Sequence, residues 1–325
     1  MNKNKRVVYI NGVYVPEDEA KISIFDSALM FGDMVFEMTR SFNKKQFMLC
    51  EHLERLYNGI KILRIPMTMT LKEMEQACYK TIEKNEHLFT NTDEHRLMIN
   101  VSRGPLGIYH RVFDGHVGTT IVIADFPLKW TVVGMGELYD KGINAVIPSQ
   151  RAIPSELLDP KIKNRSRLHY QMANIEVSEV KGDNNWALLL DTNGFIAEGT
   201  GDNFFIVKND TVITPEGRNV LRGISRDYIF SICKEHKITC IEKNITPYDV
   251  YTADEAFMTG TPFSILPVSS LNGIKIGKKP MGHYTKKLIT IWGDKVGVDL
   301  IKQIKMFNEE CKLEDGASTP YSFKK

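Results

Sequence analysis

The sequence predicts an α+β protein built as two domains. Three observations carry that prediction. At 325 residues, 42% hydrophobic and 25% charged, the chain is long enough for more than one core. Its strand-like and helix-like runs mix without a regular βαβ rhythm. A less patterned stretch near 128–135 separates two such mixtures. The reading is a smaller N-terminal α+β domain over 1–127, a linker over 128–135, a larger C-terminal α+β domain over 136–310, and a polar, aperiodic and flexible tail over 311–325.

Taken in order, "VVYINGVYV" sets an Asn-Gly turn between two β-rich runs and predicts a hairpin over 6–15. Leu53, Leu56, Ile60 and Leu63 recur at helical spacing, and "LKEMEQACYKTIEKN" predicts a second amphipathic helix. "HRLMINVSRG" and "TTIVIADFP" read as strands. In the second half "NAVIPSQ" opens the domain, a helix follows near 167–180, and "WALLLD", "FFIVKND", "TVITP", "KITCIEK" and "EAFMTG" read as strands, with a helix at "SRDYIFSICKEH".

Composition narrows the function. Against 40 acidic residues stand 42 basic ones, a net charge of +2, with no basic stripe for a nucleic-acid backbone. No run of about 18 apolar residues predicts a membrane span. Five cysteines, Cys50, Cys78, Cys233, Cys240 and Cys311, lack metal-ligand spacing, so neither a metal site nor a disulfide framework is expected, and a reducing cytoplasm is the expected compartment.

Candidate chemistry lies at four places. "DPKIKNRSRLHYQMANIEV" crowds Lys161, Lys163, Arg165 and Arg167 ahead of a helix; any lone lysine there is more often a solvated charge than a catalyst. "FIAEGTGDN" sets Glu198 at a strand end beside glycines, where a flat ligand can approach closely, although a turn acid facing water is the commoner outcome. "LRGISRD" places Gly223 and Ser225 at a helix start, which is either ordinary capping or a seat for phosphate. "MTGTPFSI" adds Thr261 in a turn.

Together, Lys163, Glu198, Gly223-Ile224-Ser225 and Thr261, with Arg55 upstream in "EHLERL", resemble the fold type IV (class IV) pyridoxal-phosphate aminotransferases. These include branched-chain and D-amino acid aminotransferases, (R)-amine transaminases and the related aminodeoxychorismate lyases. The resemblance runs from "INGVYVPEDEAKISIFDSALMFGDMVFE" to "LPVSSLNGIKIG" and implies the D-amino acid aminotransferase-like fold. It implies that Lys163 forms the internal aldimine with pyridoxal 5'-phosphate and that Glu198 faces the pyridine nitrogen; a positive neighbour favours the neutral lysine amine that such chemistry needs, and Arg167 is the expected one. Leu221 would pack on the ring, and Arg55, Gly223, Ile224, Ser225 and Thr261 would hold the phosphate. Catalysis would be a ping-pong exchange between a small amino donor and a 2-oxo acid acceptor, in a homodimer or higher oligomer.

Phe36 and Arg96 match positions lining the substrate pocket of branched-chain enzymes. Four departures bear on the substrate: Phe31, Arg167 and Glu94 replace tyrosines, and Pro262 removes a turn N–H that helps bind the substrate α-carboxylate. Arg40, Arg96 or Arg167 would then take over that carboxylate, or the substrate is not an ordinary α-amino acid. "SRGPLGIYHRV" keeps His110 but has Ile108 where D-specific enzymes carry arginine, and Arg103, His110 and Arg111 have plain readings as surface charges. A branched-chain-like aminotransferase is therefore the first expectation. An (R)-amine or D-amino acid transaminase, or a lyase, is the alternative.

Overall fold

The computed structural model describes residues 5–109 and 118–311. His110, Arg111 and the tail beyond Cys311 lie outside them. The chain forms two units: one from the residues up to Leu128 together with Ile162–Arg167, the other from Lys129–Lys161 and Leu168 onward.

The first unit contains β1 (Val7–Ile10), β2 (Val13–Pro16), α1 (Ser27–Phe31), β3 (Met34–Met38), β4 (Ser41–Phe42), β5 (Lys45–Gln46), α2 (Leu49–Ile62), α3 (Leu71–Asn85), β6 (His95–Ser102) and β7 (Thr120–Pro127). The expected hairpin forms: Asn11 and Gly12 take φ of 48° and 94°, the left-handed pair a tight two-residue turn requires. Its strands join an antiparallel sheet in the order β2-β1-β7-β6-β3. Side chains alternate across a strand, so Val35, Leu97, Ile99, Val101 and Ile123 share one face. Against them pack Leu53, Leu56 and Ile60 of α2 and Met74, Cys78 and Ile82 of α3. α3 starts at a capping box in which Thr70 and Glu73 satisfy each other's backbone N–H groups.

Residues 162–167, which the sequence reading assigns to the C-terminal domain, belong here because the backbone pairs them with β3. Asn164 bridges Val35, the Phe36 N–H donates to the Lys163 carbonyl at 2.9 Å, and the Arg165 N–H donates to the Met34 carbonyl at 2.9 Å. The Ile162 side chain enters the same core. Gly32 closes α1 with φ 67°, and a Cβ there would come within 2.7 Å of the Ser166 hydroxyl, which itself donates to the Phe31 and Gly32 carbonyls. Glycine is thus what lets this segment lie against α1.

The second unit contains α4 (Lys129–Val132), α5 (Leu138–Lys141), β8 (Ile143–Val146), α6 (Leu168–Ser178), β9 (Asn185–Leu190), β10 (Ile196–Gly199), β11 (Asn203–Lys208), β12 (Thr211–Thr214), α7 (Ile224–Glu235), β13 (Cys240–Glu242), α8 (Pro247–Tyr251), β14 (Glu255–Gly260), β15 (Ser264–Leu271), β16 (Ile274–Lys275), α9 (His283–Val296) and α10 (Leu300–Glu310). α4 falls inside the stretch read as a linker. The strands run β10-β9-β8-β15-β14-β11, and β10 pairs back onto β11, so the sheet closes on itself. Closure occurs at one pair, Glu198 opposite Asn203. Strands β12 and β13 extend the sheet beyond β11. The mixture of parallel and antiparallel pairs with helices agrees with the α+β prediction. Among the described residues no helix is long and apolar enough to cross a membrane.

Candidate active site

In the first unit Phe36, Arg96, Lys163 and Arg165 lie on the face of β3 and β6 opposite the core, whereas Arg55 lies on the core side. Phe36 pairs with Asn100 across the two strands, and Lys163 and Arg165 flank it from the added segment. Positions 163 and 165 alternate to the same side, and both cations lie over the Phe36 ring. Lys163 Nζ is 4.8 Å from the centroid and the Arg165 guanidinium 3.7 Å, with Arg167 at 5.5 Å. Arg165 is oriented by Asn100 Oδ1, which accepts from Nε at 3.1 Å and Nη2 at 2.9 Å. Burial, then the neighbouring charge of Arg167, pushes the Arg165 guanidinium down to about 10. It remains cationic at neutral pH.

Arg55 lies on α2 and makes a two-pronged ion pair with Glu37, Nε to Oε1 at 2.6 Å and Nη2 to Oε2 at 2.8 Å. His52 donates from Nδ1 to Glu37 Oε2 at 2.7 Å. Burial alone would raise the Glu37 carboxyl, but Arg55 and His52 override it and hold the acid well below the carboxylate range. Burial lowers the pKa of His52 against the pull of Glu37, and the charges of Arg55 and Lys163 add to the effect. The lysine amine is therefore within electrostatic reach of this cluster.

Arg40 and Arg96 are both buried. The Arg40 guanidinium stacks on Phe42 at 3.8 Å and its Nε donates to the Ser41 carbonyl, while Arg96 Nη2 lies 3.7 Å from Met38 Sδ. Phe31 is exposed at the end of α1. Glu94 accepts from the Asn43 and Lys44 N–H groups and so fastens the β4–β5 hairpin.

In the second unit Glu198, Leu221, Gly223, Ile224 and Ser225 come together around Asn203. Glu198 Oε2 accepts from Asn203 Nδ2 and from the Leu221 N–H, each at 3.0 Å, and Oε1 accepts from the Tyr170 hydroxyl at 2.9 Å. Asn203 Nδ2 also donates to the Leu221 carbonyl at 2.9 Å. Gly223 is the N-cap of α7 with no side-chain capping bond, so the first N–H groups of a 12-residue helix are left for a ligand. Ser225 in that first turn is buried. A Cβ on Gly223 would sit 2.1 Å from Asn203 Oδ1, so glycine is required for the helix start to approach the carboxylate. Thr259 of β14 lies opposite Asn203, which brings the Thr261-Pro262 turn to the same strand ends. That turn is tied down where the Tyr139 hydroxyl donates to the Phe263 carbonyl at 2.8 Å.

These features fit a flat, phosphorylated cofactor: an uncapped helix N-terminus suits a phosphate dianion, and an oriented buried carboxylate suits a protonated ring nitrogen. Sequence reasoning misses Arg165 as a site residue and also misses Tyr170 and Asn203. Asn203 sits in "FIAEGTGDN", but nothing local reveals that its amide ties Glu198 to Leu221.

A family model described as amino-transferase class IV matches residues 34–271. A putative branched-chain-amino-acid aminotransferase of Methanocaldococcus jannaschii is 38% identical, covering 89% of this chain and 98% of the relative. Among solved structures, the branched-chain amino acid aminotransferase of Escherichia coli is similar with a TM-score of 0.78 at 30% identity, covering 89% of this chain and 94% of that one. The branched-chain amino acid aminotransferase of Thermobaculum terrenum in its PLP form also gives a TM-score of 0.78, at 25% identity over 95% and 98% of the two chains. The chain belongs to the class IV aminotransferases, and the fold type expected from the sequence is the one found.

Proposed function

We propose that this aminotransferase uses pyridoxal 5'-phosphate and exchanges amino groups between branched-chain-type amino acids and 2-oxo acids. The observation that carries the reading is Lys163, whose main chain is paired to β3 and whose amine stands over Phe36 beside two arginines. Bound cofactor would supply an electron sink for the carbanion formed at the substrate Cα.

The protein's own residues would do the rest. Lys163 Nζ would carry the cofactor between turnovers and, once displaced, take the proton from the substrate Cα and return it; such a positioned base contributes roughly 10²–10⁴-fold. Glu198, its plane set by Tyr170, Asn203 and Leu221, would keep the ring nitrogen protonated. The N–H groups of Ile224 and Ser225, the hydroxyls of Ser225 and Thr261, and an Arg55 already oriented by Glu37 would hold the phosphate, with Gly223 admitting it and Leu221 covering the ring. Phe36, Arg40, Arg96 and Arg167 would line the substrate side.

A homodimer in the cytoplasm is the assembly and compartment that suit this reading. The exposed run Ile24, Leu29, Met30 and Phe31 offers apolar surface for a partner subunit, and all five cysteines are free thiols. The test is borohydride reduction of the holoenzyme followed by peptide mapping, with an L-leucine half-reaction followed by absorbance. The label is expected on Lys163 and bleaching with L-leucine. A label elsewhere, or bleaching only by D-amino acids or (R)-amines, overturns the residue assignment or the substrate class respectively.

A further inference from the structure

We propose that Arg165 binds the substrate α-carboxylate, an inference that rests on the aminotransferase reading. Its guanidinium and the Lys163 amine lie over one aromatic ring, from positions that alternate to the same side of a paired segment. An amine that takes the proton from Cα must stand next to Cα, and the α-carboxylate is bonded to that same carbon. A cation sharing the ring with the amine is therefore within reach of that group.

The surroundings of Arg165 point the same way. Its partners are the neutral Asn100 carboxamide and the Phe36 ring, and among the described residues no carboxylate pairs with it. Burial and the charge of Arg167 both disfavour its positive charge, a cost that an incoming anion relieves. The planar fork of arginine matches a carboxylate at two oxygens, and Asn100 fixes the plane beforehand. Arg40 and Arg96 are more deeply enclosed, on Phe42 and Met38, and neither shares the lysine's ring.

The experiment uses the holoenzyme and its Arg165→Gln and Arg165→Lys variants. Titration with 4-methylvalerate, which is leucine without its amine, should show binding weakened ~10- to 100-fold in R165Q and less in R165K, which keeps the charge without the fork. Neutral 4-methylpentanamide should bind the wild type as weakly as the acid binds R165Q. KM for L-leucine and its 2-oxo acid should rise by a similar factor, with kcat and cofactor affinity within a few-fold of wild type. Unchanged 4-methylvalerate binding in R165Q sinks the proposal, as does a loss confined to dicarboxylic 2-oxo acids or an equal loss of cofactor affinity. The titration needs no turnover, so it judges Arg165 even if the wild type fails to transaminate L-leucine, a failure that would count against the substrate reading instead.

Discussion

Two glutamates, Glu37 in the first unit and Glu198 in the second, are both buried on strands yet are held by opposite means. Glu37 meets a guanidinium in a two-pronged pair and an imidazole N–H. Glu198 meets a phenol, a carboxamide and a peptide N–H. A cation neutralises the acid it binds, whereas neutral dipoles orient an acid without cancelling it. Glu37 is thereby committed to joining β3 to α2. Glu198 is aimed, and its charge can act on something else.

The sharpest way to break this comparison is Glu37→Gln, which strands Arg55 in a buried setting and should cost about 3–5 kcal/mol in thermal or denaturant unfolding. Because the Glu37 carboxyl is held below its ordinary value, its contribution is full above the unfolded pKa of 4.5 and fades as pH falls through the folded one. Wild type and variant should therefore converge in acid.

Glu198→Gln should do the reverse, costing about 1 kcal/mol of stability but lowering the amino-transfer rate about 10²-fold, as expected when a preorganised charge is removed from a reacting centre. Stopped-flow half-reactions on the holoenzyme check the rate. A large loss of stability with unchanged rate would make Glu198 a second Glu37.

His95 is the smallest and most conditional case, an imidazole facing Asp125 Oδ2 at 2.9 Å and Glu86 Oε2 at 2.7 Å. Burial opposes its charge, yet the two carboxylates win and its pKa is raised. A raised pKa stabilises below the unfolded value of 6.5, and that support is lost as pH rises through the folded value. Asp125, raised by burial, shifts in the same direction. His95→Gln should therefore be more destabilising at acidic than at alkaline pH, a trend that denaturant midpoints at the two pH values measure.

Local patterns make part of this molecule legible. The Asn11-Gly12 hairpin and the apolar periods of α2, α3 and α7 are written in neighbouring residues, and the strands of both sheets mostly announce themselves by β-rich runs. Strand β15 does not, because Pro267 interrupts it. It is tolerated because pairing with β8 begins only at Val268, so no ladder bond is asked of the missing N–H. Helices α9 and α10 escape the same reading; "LITIW" is strand-like by composition and turns helical in context.

Among the proposed site residues, Lys163, Glu198 and the α7 start are recognisable through a resemblance across the chain, since each alone has a commonplace explanation. Arg165 stands in plain view as one charge among four. Its selection depends on Asn100 and Phe36, which the fold brings up from distant sequence. No local period encodes such a meeting.

The backbone on either side of Asn164 is stitched to β3 by two main-chain hydrogen bonds. The Lys163 amine therefore hangs from a fixed root, and whatever swinging its proposed role demands would come from rotation about its own four-carbon stem. An amine mounted on such a girder would need no moving loop to bring it to a ligand.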